Sequence, residues 1–120
     1  MSNASRDTFD RAARVLKALS HRLRLELVCG LRNQPCTQTF IAAKLGLPQS
    51  TIAQHLKVLR SEGLVKEERR GVEVVFSLAD PALAHIIDTL CEKGDAALPR
   101  CHSWDDIASM ERASRVSGHF

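Results

Sequence analysis

Apolar residues at helical spacing dominate the first third of the chain and predict two amphipathic helices. The first apolar face comprises Phe9, Ala12, Ala13, Leu16 and Leu19. These positions recur over residues 8–19 with a period close to that of an α-helix, and basic residues stand between them. Ser20 occupies a position where an N-cap accepts a backbone N–H, and a second helix is predicted at about residues 21–32. Asn33, Gln34 and Pro35 end this pattern.

Two shorter helices follow, joined by a connection of about three residues. Thr37 or Thr39 is suited to cap the first of them, and Gly46 is suited to close it. Pro48 fits the first turn of the next helix, where its missing N–H is harmless, and that helix ends near Gly63. Its apolar face comprises Ile52, Leu56 and Leu59. A connection this short brings the two helices together at a steep angle.

The period of the apolar positions then changes to strict alternation, which predicts a strand. The alternating residues are Val72, Val74, Phe76 and Leu78. Residues 65–69 supply a partner strand across a turn at Arg70-Gly71, so we expect a β-hairpin with a charged tip. Asp80-Pro81 marks the start of a further helix that runs to about Ala97. The apolar side of this helix comprises Leu83, Ile86, Ile87 and Leu90.

Helix, tight turn, helix and hairpin is the element order of a winged helix-turn-helix. We therefore expect a mainly α fold with a two-stranded β-hairpin. The last segment predicts either a short helix or a flexible tail, because Ser103 can cap a helix that carries a few apolar residues. Those apolar residues are Trp104, Ile107, Met110 and Val116.

Composition narrows the class of protein. A chain of 120 residues fits one domain, and 44% apolar residues argue against both a disordered chain and a membrane protein. The N-terminal stretch MSNASRDTFDR lacks the hydrophobic run of a secretory signal, so a cytoplasmic protein without membrane contact is expected. A net charge of +3 permits contact with a polyanion without requiring it.

The polar face of the helix that follows Pro48 carries the main functional signal. Its candidate DNA contacts are Gln49, Ser50, Thr51, Gln54 and His55 toward the bases, with Lys57 and Arg60 toward phosphates. Glutamine can pair in a bidentate way with adenine, hydroxyls bond base edges or phosphates, and a helix N-terminus favours phosphate. Arg69 and Arg70 at the hairpin tip add minor-groove or phosphate contacts, which Glu67 and Glu68 dilute.

Other interpretations of this pattern stay open. The polar face of the helix can be an ordinary solvated surface, and a winged helix can serve protein contact alone. An enzyme is disfavoured, because the sequence has neither a glycine-rich phosphate loop nor carboxylates paired in a cleft-forming pattern.

Six short stretches match one known family in order and spacing. They are Ala18-Leu19-Ser20-His21, Arg24-Leu25, Leu45-Gly46-Leu47, Ser50-Thr51, His55-Leu56-Lys57-Val58-Leu59 and Glu62-Gly63-Leu64-Val65. Over roughly residues 10–92 the chain resembles the ArsR/SmtB family of bacterial metalloregulatory repressors. The resemblance implies a homodimer, through its first and last core helices, that binds a palindromic double-stranded operator and is released by an inducer. Ala53 departs from the family, which often has serine there.

The apolar pattern independently permits a dimer. More large apolar residues lie on the first and last core helices than one small core needs, and two-fold symmetry is the commonest oligomeric arrangement. These residues are Phe9, Leu16, Ile86, Ile87 and Leu90. The alternative is that all of them belong to the core of the monomer. We assign residues 1–97 to the DNA-binding and dimerisation domain and residues 98–120 to a C-terminal extension.

The inducer is less defined than the DNA contacts. Many family members carry two cysteines on the third helix, and this chain has Thr37 and Thr39 at those positions. The resemblance therefore predicts that the usual thiolate site is absent. The zinc site on the last helix of other members is also not evident, because His85, Asp88 and Cys91 lack a second histidine cluster.

Three interpretations of the cysteines remain, and none requires a cofactor for folding. Cys91 and Cys101, with Cys29, Cys36 or His102, are candidate soft ligands for an inducer such as arsenite or a thiophilic metal ion. Cys29 and Cys91 correspond roughly to the sensing pair of the persulfide and redox branch that the resemblance brings in. The cysteines can also be small buried hydrophobic residues.

Overall fold

The computed structural model of the protein describes residues 3–93 and 103–109. The elements are α1 (Asn3–Leu19), α2 (Arg22–Asn33), β1 (Cys36–Thr37), α3 (Gln38–Leu45), α4 (Gln49–Ser61), β2 (Val65–Arg70), β3 (Glu73–Leu78) and α5 (Ala82–Lys93). A short helix at residues 104–109 follows. The mainly α fold with a β-hairpin and the winged-helix order of elements are confirmed. None of the helices in the described part of the chain is long and apolar enough to cross a membrane.

The first two helices differ in detail from the prediction. α1 begins at Asn3 rather than Thr8. His21, not Ser20, is the N-cap of α2, since its backbone is extended and its Nδ1 accepts the Leu23 N–H at 3.1 Å. The Ser20 hydroxyl instead donates to the Lys17 carbonyl at 3.0 Å, so this residue belongs to the end of α1.

The predicted caps of the later helices mostly hold. The Thr37 hydroxyl accepts the Phe40 N–H at 3.1 Å, and Gly46 closes α3 in the left-handed region with a φ of 65°. Pro48 is the N-cap of α4 rather than its first helical residue. Asp80 accepts the Ala82 N–H at 2.9 Å at the start of α5. The predicted end of α5 near Ala97 lies outside the described residues, as does the boundary between residues 97 and 98.

The sheet has three strands in the order β1-β3-β2, so the predicted two-stranded hairpin is incomplete. β1 pairs with β3 through Cys36 opposite Phe76. The sequence does not predict β1, because a strand of two residues shows no periodicity. Val72 is 95% exposed in the turn before β3 and is not a strand residue. Val75 and Phe76 are both buried, so β3 departs from strict alternation at the two residues that pair with β1.

The core lies where α2, α3 and α4 meet. Its most buried side chains include Leu27, Ile41, Leu45, Ile52, Leu56 and Leu59. The predicted apolar face of α4 is therefore confirmed. On α5, Leu83 and Ile87 are buried, whereas Ile86 and Leu90 are exposed.

The helix at residues 104–109 packs into this same core. Ser103 and Asp106 form a reciprocal cap, in which Asp106 N–H donates to the Ser103 hydroxyl at 3.1 Å and Ser103 N–H donates to the Asp106 carboxylate at 3.2 Å. Trp104 is only 4% exposed and lies over Gly30 of α2. A Cβ atom at Gly30 would lie 2.5 Å from carbon atoms of the indole ring. The short-helix alternative for this segment is thus confirmed at these residues, while Met110 and Val116 lie outside the described part of the chain.

Replacing Trp104 by alanine is expected to lower the free energy of unfolding by about 3–5 kcal/mol, because the change empties a buried site that α2 cannot refill. Gly30→Ala is expected to cost about 1–3 kcal/mol through overpacking. In the Trp104→Ala background the Gly30→Ala change should cost much less, since the indole that it meets is gone. Urea denaturation followed by circular dichroism measures all three. Val72→Ala, in an exposed turn, is the control, and equal losses for Trp104→Ala and Val72→Ala would contradict this packing.

Candidate DNA-binding surface

A helix-turn-helix places the start of α4 at the molecular surface. The left-handed Gly46 reverses the chain, and Leu47 N–H donates to the Ala42 carbonyl at 3.1 Å, which holds the turn against α3. The buried face of α4 turns its other face outward. Among the described residues no side chain caps the N-terminus of α4. The Thr51 N–H donates to the Pro48 carbonyl at 3.1 Å, so the N–H groups at the start of α4 that lack a partner within the helix are those of Gln49 and Ser50. This end is therefore suited to bind an anion such as phosphate.

One stripe of exposed polar side chains runs along α4. Ser50, Gln54 and Lys57 are spaced four and three residues apart, lie on one side of the helix and are all exposed. Gln49 is exposed beside this stripe, and Thr51 is half-buried. The stripe combines a hydroxyl, an amide and an ammonium group, whose donors and acceptors complement those of base edges and phosphates.

Gln38 of α3 contacts the start of α4, a link that sequence patterns did not indicate. Its amide Nε2 donates to the Gln49 carbonyl at 3.2 Å and lies 3.5 Å from Gln49 Oε1. This contact joins the two helices of the motif and orients the Gln49 side chain. The only signal in the sequence was a polar residue directly after the Thr37 cap, which is too common to interpret.

Arg60 is tied to the hairpin. Its guanidinium forms an ion pair with Glu67 of β2, and both side chains are partly exposed. Ala53, Lys57 and Phe76 line the groove beside this pair, between α4 and the sheet. Arg60 therefore connects α4 to the hairpin formed by β2 and β3, which is called the wing below.

The wing carries its two arginines near its tip. Arg69 and Arg70 stand opposite Val74 and Glu73 in the β2–β3 register, and both are exposed. Arg70 lies 3.6 Å from Glu68, a long and exposed ion pair. Within residues 3–93 and 103–109, Arg69 has no ion-pair partner, so its charge is the more available of the two.

His55 lies on the side of α4 that faces α2, away from the exposed stripe. Its ring centroid is 4.4 Å from that of His21, and its Nδ1 lies 3.3 Å from Nη1 of Arg24. Burial lowers the pKa of His55 below its usual value of 6.5, and the nearby His21 and Arg24 contribute in the same direction. The structure thus groups His55 with α2 rather than with Gln54 and Lys57.

Two of the four cysteines lie inside the core. Cys29 and Cys36 are both buried, and their thiols are reduced. Burial raises the pKa of the Cys36 thiol, and the Gln34 side-chain amide, 3.9 Å from Sγ, only partly opposes that shift. Since the thiolate is the nucleophile and the metal ligand, Cys36 is poorly suited to either task.

The other two cysteines lie toward the C-terminal side of the chain. The backbone of Cys91 belongs to α5, and Cys101 and His102 lie outside the described residues. In the described ranges, no three His, Cys, Asp or Glu side chains are grouped so that they could hold a metal ion.

Comparison with known proteins agrees with this geometry. Residues 21–67 match the family model of bacterial regulatory proteins of the arsR family. The HTH-type transcriptional repressor SmtB of Mycobacterium tuberculosis is 40% identical over 95 residues, which make up 78% of this chain and 70% of that repressor. The aligned region thus spans the elements that carry the candidate surface.

Solved structures of similar proteins share the fold. A homodimeric winged helix-turn-helix DNA-binding domain from Mycobacterium bovis superposes with a TM-score of 0.72 at 27% identity, over 85% of this chain and 94% of the other. The transcriptional repressor PagR of Bacillus anthracis gives a TM-score of 0.64 at 34% identity, over 69% of this chain and 95% of the other.

Proposed function

The chain belongs to the arsR family of bacterial regulatory proteins, and we propose that it acts as a homodimeric repressor whose α4 helices bind a palindromic operator in double-stranded DNA. It is a transcriptional regulator and not an enzyme. The observation that carries the proposal is the exposed stripe of Ser50, Gln54 and Lys57 on a helix whose opposite face is buried. Operator binding places the protein in the cytoplasm, where bacterial DNA lies.

Different side chains on α4 contact different parts of the DNA in this proposal. Gln54 and Gln49 present amides that can bond adenine in the major groove, and Ser50 and Thr51 bond base edges or phosphates. Lys57 and the free N–H groups at the start of α4 bind backbone phosphates. These contacts follow from the exposure of the side chains and from the chemistry of their polar groups.

The wing adds contacts beside the groove that α4 occupies. Arg69 and Arg70 reach the minor groove or its phosphates, with Arg69 the stronger candidate because Glu68 lies near Arg70. Arg60 reaches a phosphate only by exchanging Glu67 for it, and otherwise holds the wing against α4. A family member with these parts binds two half-sites about one helical turn of DNA apart, one for each protomer.

Selection from a random library of DNA duplexes tests the proposal, since it requires no candidate operator sequence. We expect enrichment of a palindromic sequence whose specific binding weakens steeply with salt. Failure to enrich any sequence above the starting library would contradict a sequence-specific repressor.

On the selected duplex, Gln54→Ala and Lys57→Ala are expected to differ in kind. Gln54→Ala should weaken binding by about 1–3 kcal/mol and relax the preference at one base pair, because a base contact is lost. Lys57→Ala should weaken binding to every duplex similarly and reduce the salt slope by about one, because a phosphate contact is lost. Fluorescence anisotropy at several salt concentrations separates the two. Lys17→Ala on α1 is the control, and an unchanged affinity for both α4 variants would exclude this face as the DNA contact.

The dimer is proposed through α1 and α5. Phe9, Leu16, Ile86 and Leu90 are 69%, 59%, 39% and 61% exposed, whereas Ile87 is buried in the monomer. Leu16 and Ile86 together line an apolar groove between the two helices, so these two exposed residues belong to one patch. An exposed apolar patch on helices that a two-fold axis can duplicate favours a second copy of the chain as its cover.

Leu16→Asp and Leu90→Asp are each expected to convert the dimer to a monomer, because a charge would be buried in the apolar interface without a partner. Sedimentation equilibrium measures the mass, and Val72→Asp on the wing is the control, since Val72 is also exposed and apolar. A parent protein that sediments as a monomer, or aspartate variants that remain dimers, would contradict this interface.

We propose that the inducer acts on thiols at the C-terminal side of the chain. Burial of Cys29 and Cys36 disfavours both as first targets, which leaves Cys91 and Cys101, with His102, as soft ligands for arsenite or a thiophilic metal ion. The redox alternative pairs Cys91 with Cys29 through a persulfide or disulfide bridge, which requires Cys29 to leave the core.

Four single Cys→Ser variants distinguish these mechanisms by release from the selected duplex. With arsenite or cadmium, the Cys91 and Cys101 variants should stay bound, whereas the Cys36 variant should be released like the parent protein. A requirement for Cys29 and Cys91 with persulfide alone would favour the redox alternative. If all four variants respond as the parent does, thiol sensing is wrong.

A further inference from the structure

A contact between two imidazole rings joins the start of α2 to α4. The rings of His21 and His55 lie 4.4 Å apart between centroids and are tilted by 43°. Arg24, one turn into α2, approaches Nδ1 of His55 at 3.3 Å. The same guanidinium donates through Nε to the Ala18 carbonyl at 2.5 Å. Arg24 therefore connects the end of α1 to α4.

The hydrogen-bond partners determine where the protons of both rings lie. A guanidinium has only donors, so Nδ1 of His55 must be the acceptor and must carry no proton. Nδ1 of His21 accepts the Leu23 N–H at 3.1 Å and must also be unprotonated. His55 is thus neutral, with its proton on Nε2. Protonation of His55 breaks its bond to Arg24.

The charges around His55 oppose its protonation. From the start of α2, the groups that face it are the His21 imidazole and the Arg24 guanidinium. The ion pairs on the other elements packed against α4 are Arg14–Glu62 from α1, Arg60–Glu67 from β2 and Lys44–Asp105 from α3. The carboxylates of those pairs are already engaged with cations. Burial and the two α2 groups lower the pKa of His55, in agreement with the neutral ring that the geometry requires.

We propose that His21 and Arg24 are positioning residues for DNA recognition, which hold α4 through His55 only while the His55 imidazole is neutral. This inference rests on the proposed function. Because His55 takes up its proton less readily in the folded chain than in the unfolded one, the free energy of unfolding falls as the pH drops below about 6.5. At still lower pH, His55 is protonated in the folded protein as well. The link between α2 and α4 is then broken, and α4 loses a restraint on its orientation.

The sign of the pH effect separates this role from a direct DNA contact. A histidine that touched phosphate would gain charge in acid and strengthen DNA binding, because it would neutralise one more phosphate. A histidine that holds α4 in place while neutral weakens DNA binding in acid. We therefore expect the affinity of the parent protein for the selected duplex to fall as the pH drops below about 6.5 at constant ionic strength, and to reach a tenfold loss only at about one pH unit below the pKa of His55.

Asparagine variants remove the titration and keep the acceptor. The oxygen of Asn in His55→Asn can accept the Arg24 bond, and His21→Asn retains a good N-cap. The double variant should bind within about threefold of the parent protein near neutral pH and should lose less than about threefold in acid. His55→Phe keeps a ring but no acceptor, so it should bind more weakly at every pH. His85→Asn, on α5, is the control and should keep the parent profile.

An NMR titration of the protein without DNA gives the second readout. His55 should remain neutral to a lower pH than a free histidine, and its protonation should shift the backbone amides of α4. An affinity that rises in acid, or a double variant with the parent profile, would overturn the positioning role while leaving the proposed function intact. Absence of specific binding by the parent protein at every pH would contradict the proposed function and the positioning role with it.

Discussion

The burial of one face of α4 is the constraint on which the rest of the site depends. Ile52, Leu56 and Leu59 pack into the core shared by α2 and α3. Burying aliphatic side chains of this size contributes about 1.5–3 kcal/mol each, more than any single surface contact. These three residues therefore set the rotation of α4 about its own axis. That rotation decides which side chains point outward.

Weaker polar contacts then determine how α4 is held by its neighbours. Gln38 bonds the first turn of α4 from α3, Arg24 reaches His55 from α2, and Arg60 pairs with Glu67 on the wing. A hydrogen bond or a partly exposed ion pair contributes about 1 kcal/mol, so each of these contacts adjusts orientation rather than stability. Together they surround the exposed stripe with contacts on three sides. Substitutions in these contacts can change DNA affinity without unfolding the protein.

The predictable part of the structure is the part that local periodicity encodes. The apolar faces of α1, α2 and α4 repeat over several turns, and the outward face of α4 follows from its apolar spacing alone. β1 has only two residues and depends on its partner β3, so no local pattern could reveal it. The sequence predicts Ser20 as the N-cap of α2, whereas the structure has His21. The two residues are adjacent, and only the backbone conformation distinguishes them.

The other features that sequence patterns did not predict depend on contacts between residues far apart in the chain. His55 was expected among the DNA contacts, but its environment depends on Arg24, which is 31 residues away in sequence. Trp104 could be recognised as apolar, but its fit over Gly30 depends on the absence of a side chain in α2. The Cys36 thiol is also buried in the core, and burial raises its pKa.

The most direct test of the central claim is an NMR measurement on the complex with the selected duplex. If α4 enters the major groove through its exposed stripe, the side-chain amide protons of Gln54 will show intermolecular NOEs to base protons in that groove. NOEs confined to α1, α5 or the wing, with none from Gln54, would contradict the claim.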